Sequence, residues 1–131
     1  MAGGAVIVAG FGFRAAAGVG SLLDAYARAR SALPDAVGAD HVATARDKAE
    51  TPVFQALAAR LTARPIGVDE TALADQNTLT RSDASLAARG AGSVAEAAAL
   101  AAAGPGARLL GARAVSDDGM ATCALAGGDV E

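Results

Sequence analysis

From the amino terminus onward, short unbroken apolar runs alternate with longer stretches whose apolar positions recur every three or four residues. Ala5 to Ala9 is the first short run, rich in Val and Ile, as a strand buried on both faces requires. It leads into Gly10-Phe11-Gly12-Phe13-Arg14. Val19, Leu22, Leu23, Tyr26 and Ala27 then fall at helical spacing, with Ser21 and Asp24 early and Arg28 and Arg30 late, an order that suits the helix dipole. Pro34 and Gly38 mark the exit. His41 to Ala45 reads as a second strand. Thr51 offers an N-cap with Pro52 at the first helical position, and that helix runs through Val53, Phe54, Leu57 and Leu61 to about Ala63.

Pro65 to Val68 is a third strand, and Asp69 caps a short helix through Leu73. Asp75 to Ser85 is polar and irregular, the longest loop expected. Ser93-Val94-Ala95-Glu96 has the form of a capping box, in which the serine accepts from the amide near Glu96 and the glutamate side chain reaches back. The helix it starts continues through Leu100 and stops at Gly104-Pro105. Leu109 to Val115 and Met120 to Ala126 read as two strands joined by the turn Ser116-Asp117-Asp118-Gly119. The order β-α-β-α-β-α-α-β-β predicts an α/β fold: one domain over 1–131, a mostly parallel sheet flanked by helices, and a C-terminal antiparallel hairpin. No repeat or linker interrupts it.

Composition narrows the function classes. At 131 residues the chain suffices for one core. A net charge of −3 argues against a general nucleic-acid footprint, as do the scarce aromatics. No apolar run is long enough to span a bilayer, and no basic stretch precedes the first apolar segment, so neither membrane insertion nor a leader is expected. The lone Cys123 cannot form an internal disulfide, which fits a cytoplasmic protein. Its place in an alternating strand marks it as core filling. Without a Cys/His cluster, no metal site is expected. Alanine is abundant, favouring helices that pack closely on a sheet. The basic residues are arginines apart from Lys48, the only lysine.

The pattern Gly10-x-Gly12-x-x-Ala15 after the first strand is formally a G-x-G-x-x-A loop, whose glycines would let backbone and following helix amides approach an anion. A dinucleotide site also wants an acidic residue roughly 20 positions beyond the motif, at the end of the second strand. Here that strand ends only near Arg46 and Asp47, so a plain tight turn or a loop for some other anion remains. Arg14 and Lys48 follow neighbouring strands at the edge where open α/β sheets bind ligands, and together they suit a carboxylated or phosphorylated molecule. Taken separately, each reads as a solvated surface charge. Thr78 to Asp83 offers hydroxyls and Arg81, in a composition that also suits an ordinary connector. His41, the only histidine, starts a strand and has no catalytic companions; no catalytic residue is assigned.

Several of these segments resemble one family, the CobE / CbiG C-terminal domain family of cobalamin biosynthesis. Gly10-Phe11-Gly12-Phe13-Arg14 is similar to its G-x-G-x-R turn, and Ala43-Thr44 with Lys48-Ala49-Glu50 and Pro52 resembles its second strand and lysine–acid segment. Thr80-Arg81-Ser82 resembles its T-x-S loop. Gly92-Ser93-Val94-Ala95-Glu96-Ala97-Ala98-Ala99-Leu100 is similar to its G-S-V-A-E-A-A-A-L helix start. The resemblance spans roughly Ala5 to Ala126 and implies a ligand site drawn from Gly10, Gly12, Phe13, Arg14, Lys48, Glu50, Thr80, Ser82, Ser93 and Glu96. It implies a polycarboxylated corrinoid or precorrin as the small-molecule partner, with no separate cofactor. Three roles follow from it: carrying that tetrapyrrole, hydrolysing a precorrin lactone as a cobalt-precorrin-5A hydrolase does, with Lys48 polarising a carbonyl, or docking on another enzyme of the pathway.

Overall fold

A computed structural model of the chain describes residues 5–33, 38–89 and 92–129. Met1 to Gly4 and the expected helix exit at Pro34 lie outside the described residues. The sheet is mixed, with β1 (Ala5–Phe13) at its centre. On one side β2 (His41–Ala45) runs parallel to β1, and β3 (Arg64–Val68) runs parallel to β2. On the other side β6 (Ala121–Asp129) pairs antiparallel with β1 along its whole length, from Ala5 opposite Asp129 to Phe13 opposite Ala121. Two short strands, β4 (Arg108–Leu109) and β5 (Ala114–Val115), share the far edge of β6. The α/β class and the C-terminal antiparallel strands are as the sequence implies.

Alternation along β1 divides the core between the two faces of the sheet. Ala9 and Phe11 point to α1 (Val19–Ser31) and α3 (Pro52–Leu61), where Leu22, Tyr26, Phe54 and Leu57 pack with Cys123 and Leu125 of β6. Phe11 meets Phe54 edge-on at 6.0 Å between ring centroids. Burial of an aliphatic or aromatic side chain of this size stabilises the fold by about 1.5–3 kcal/mol. Val8 points the other way, to Ala43, Val68, Leu73 and the alanines of α6 (Val94–Ala103). That second face is built on small residues. A Cβ on Gly10 would stand 2.0 Å from the Ala95 carbonyl oxygen, and one on Gly128 would stand 2.6 Å from that of Ala103. Glycine on the strands and alanine on the helix let α6 lie directly on the sheet.

This contact corrects the reading of the first glycines. The first strand does not end at Ala9; it continues through Gly10 and Gly12 to Phe13, because β6 pairs with it throughout and α6 covers it. The chain then turns over residues 14–18, and α1 starts only at Val19 behind Gly18, so the helix that follows β1 does not adjoin the glycines; the start of α6 does, at Val94 and the Ala95 amide nitrogen beside Gly12. Three other boundaries differ. The segment after β2 folds at once into α2 (Arg46–Ala49). A short α4 (Glu70–Ala74) forms as expected after β3, but the polar loop beyond it closes early, with α5 (Asp83–Arg89) occupying its end. The stretch 109–115 is two strand fragments rather than one strand. The Thr51 cap forms, its hydroxyl accepting from the Phe54 amide at 3.4 Å. The hairpin turn forms too, with Gly119 at φ +72°. No helix among the described residues is long and apolar enough to cross a membrane.

Candidate functional site

Where β1 ends and β6 begins, Arg14 follows Phe13 and its amide donates to the Met120 carbonyl at 3.0 Å, extending the pairing by one step. The edge so formed is one wall of an open cleft of about 260 Å³ lined by Gly12, Phe13, Arg14, Ser82, Arg113, Val115 and Gly119 to Thr122. Gly12 belongs here for a steric reason. A Cβ on it would meet the Thr122 hydroxyl at 3.0 Å and Val94 Cβ at 3.4 Å. The cleft carries two cations, Arg14 and Arg113, and among the described residues neither is paired with a carboxylate. The Ser82 and Thr122 hydroxyls add polar groups. Val115, 45% exposed, and Met120 supply apolar surface beside them.

Phe13 is held from two directions. Its ring stacks on Phe54 at 6.0 Å with an interplanar angle of 5°. The Lys48 ammonium sits 5.0 Å from the Phe13 ring centroid and donates to the Phe13 carbonyl oxygen at 3.0 Å. Lys48 thus approaches the end of β1 without lining the cleft. Beneath it, the buried Thr44 hydroxyl donates to the Phe11 carbonyl oxygen at 2.8 Å, tying β2 to β1 at the same end.

Behind the cleft lies a polar group with no exposure at all, Glu96 on the first turn of α6. Half of the expected capping box forms: the buried Ser93 hydroxyl accepts from the Glu96 amide at 3.3 Å. The other half does not. The Glu96 carboxyl group faces away from Ser93 and accepts from the Thr80 amide at 2.7 Å, the Thr80 hydroxyl at 2.8 Å and the Arg113 amide at 2.8 Å. Amides from two separate segments outcompete the local reach-back because they have no other acceptor nearby. Gly92 completes the arrangement. Its carbonyl oxygen accepts from the Ser82 amide at 2.7 Å, and a Cβ on it would lie 2.5 Å from the Thr78 hydroxyl.

The expected site residues therefore separate into groups. Gly12, Phe13, Arg14 and Ser82 come together in the cleft. Thr80, Ser93 and Glu96 stand behind it, and Lys48 stands beside it. Gly10 is covered by α6. Glu50 is elsewhere, in a separate opening with Arg46, Asp47, Asp69 and Glu70, where Arg46 pairs with Asp69 at 2.6 Å. Arg113 and Thr122 were not among the residues singled out from the sequence. The one available sign for Arg113 was an arginine within the otherwise apolar stretch from Leu109 to Val115.

The far wall is the β5–β6 turn, which exposed carboxylates dock onto α1. Asp118 accepts from the Ser116 and Ser21 hydroxyls and the Met120 amide, and these bonds, the serines first, hold its carboxyl down to about 2. Asp24 accepts from the Asp117 amide at 2.7 Å and pairs with Arg28; the amide foremost, these keep its carboxyl below the usual range. Cys123 is sealed inside, where burial raises its thiol well above the usual value.

Comparison with known proteins shows the family to which this fold belongs. No curated protein sequence matches the chain. The crystal structure of CobE, a protein from the cobalamin (vitamin B12) biosynthetic pathway, superposes with a TM-score of 0.83 at 30% identity, over 94% of this chain and 93% of that one. The cobalamin biosynthesis protein chiG from Agrobacterium tumefaciens superposes with a TM-score of 0.69 at 33% identity, over 92% of this chain and 97% of that one. The model of the cobalamin synthesis G C-terminus family matches residues 7–126, nearly the whole chain, and the protein accordingly belongs to that family, as a cobalamin biosynthesis protein of the CobE/CbiG type.

Proposed function

We propose that the protein binds a corrinoid intermediate of its pathway by the carboxylates at the edge of the macrocycle, and carries it between enzymes. The observation that supports this most directly is the pair of arginines, Arg14 and Arg113, which line one cleft from different segments with no carboxylate partner among the described residues. Guanidinium groups match carboxylates in a bidentate geometry, and the Ser82 and Thr122 hydroxyls add donors of the kind a carboxylate accepts. The cleft, at about 260 Å³, is smaller than the roughly 300–1,000 Å³ of pockets that enclose drug-sized ligands. A corrin is larger still, so it rests here by one edge, its ring lying across Val115 and Met120.

Hydrolysis has less support. Lys48, the residue suited to polarising a carbonyl, already donates to the Phe13 carbonyl and does not line the cleft. Titration with cobyrinic acid, a cobalt corrin with free edge carboxylates, tests the proposal. Binding is expected with the free acid, not with its fully esterified form, and not with the Arg14→Ala/Arg113→Ala variant. A ligand recovered unchanged in mass supports carriage; one recovered altered supports the hydrolase. If neither the acid nor its metal-free counterpart is retained, the corrinoid reading fails and docking on a pathway enzyme takes its place.

A further inference from the structure

We infer that Glu96 is a positioning residue that sets the distance between the two arms of the cleft and thereby its affinity for an anionic ligand, a role that rests on the cleft being the binding site. The carboxyl group is fully buried, yet each of its oxygens is turned toward cleft-forming backbone: one accepts from Thr80 N, the other from Thr80 Oγ1 and Arg113 N. Thr80 leads directly into Ser82, which lines the cleft from one arm, and Arg113 lines it from the other. These arms lie more than thirty positions apart in the chain and belong to irregular segments, the loop before α5 and the break between β4 and β5. Each adjoins only a short element: Ser82 caps α5, its carbonyl and hydroxyl oxygens accepting from the Leu86 and Ser85 amides, and Arg113 precedes the two residues of β5. Glu96 is held more firmly, at the start of α6, whose backbone lies against Gly10 and Gly128 of the sheet.

The chemistry of the side chain matters as much as its place. A carboxyl group accepts at both oxygens, whereas a glutamine amide accepts at one end and donates at the other. In Glu96→Gln, whichever way the amide lies, one half-buried backbone N–H, of Thr80 or of Arg113, faces an NH₂ group. One arm must then move away while size and shape are nearly kept. A ligand held by Arg113 and Ser82 together loses the simultaneous contact, and misplacing one of two paired groups weakens binding far more than its area suggests.

The experiment compares wild type, Glu96→Gln and Leu57→Val, the last a destabilising change in the core on the opposite face of the sheet, by titration with cobyrinic acid and by amide exchange of ligand-free protein. The expected result is that folded Glu96→Gln binds about tenfold or more weakly, equivalent to one unmet hydrogen bond of about 1.4 kcal/mol, while Leu57→Val keeps its affinity. The Ser82 amide, whose own acceptor is Gly92 and is untouched by the change, exchanges faster only in Glu96→Gln. Wild-type affinity in folded Glu96→Gln overturns the inference and leaves the corrinoid reading standing. If Glu96→Gln does not fold, Thr80→Val, which removes only the hydroxyl donor, takes its place with an expected loss of about threefold, and unchanged affinity again overturns it. If wild type retains no corrin, the corrinoid reading falls and Ser82 exchange alone decides the clamp: acceleration over Leu57→Val upholds it, and equal rates overturn it.

Discussion

The cleft is held open by two carboxyl-based clamps, one on each side, and their contrast shows how burial changes the worth of the same bond. On the α6 side, Glu96 gathers the amides of Thr80 and Arg113 with no exposure to solvent. On the α1 side, the half-buried Asp24 and the exposed Asp118 gather the amides of Asp117 and Met120 within reach of water. Both join a loop to a helix. Water stands ready to replace the aspartates when they let go, so losing them costs little. Nothing replaces Glu96, because an amide that loses its acceptor in the interior loses its hydration as well. One side of the cleft is therefore fixed by a buried carboxyl group and the other by carboxylates that water can replace.

The sharpest way to break the contrast is to unseat the buried clamp. In Gly10→Ala the new methyl group would meet the backbone of Ala95 and Ala99, at 2.0 Å and 2.5 Å, and neither can yield without moving α6. Overpacking of this kind costs about 3 kcal/mol or more, so denaturant unfolding is expected to show a severely destabilised or unfolded protein. A near-native midpoint would mean that α6 floats on the sheet and that Glu96 is not rigidly carried. Next in size, Glu96→Ala leaves two amides without acceptors and is expected to lower stability by about 2–3 kcal/mol, read as a shift in the urea midpoint at constant slope. A shift as small as that of Asp118→Ala would erase the distinction between the clamps.

The smallest expected effect is a pH dependence of the exposed side. The Asp118 carboxyl is depressed in the folded protein, to about 2 from an ordinary 3.8. Its contribution is therefore present above about pH 4 and is lost as the pH falls through about 2. Protection of the Met120 amide against hydrogen exchange should fall over that window. Unchanged protection there would mean that Asp118 does not hold the turn.

Much of this was legible in the chain itself. The β-α alternation, the Thr51 cap and the Ser116–Gly119 turn all rest on interactions between near neighbours in sequence. The glycines of β1 were legible as glycines but not in purpose. Local rules make Gly10-x-Gly12 a turn, whereas a partner strand more than a hundred positions away kept it extended. The short helix α2 was hidden for a related reason, being one turn with no periodicity to display.

By itself the sequence determined the fold class, the Thr51 and Ser93 caps and the residue types available for an anion: arginines, hydroxyls and small residues that allow close packing. Only the tertiary structure decided which of them meet. It paired Arg14 with Arg113, set Lys48 to tie down Phe13, and turned Glu96 from its own helix cap toward two remote loops. The reason is physical. A cap or a turn is satisfied within a few residues, so its partners are written side by side, whereas a buried carboxyl group takes whichever amides the folded chain brings to it and leaves without water.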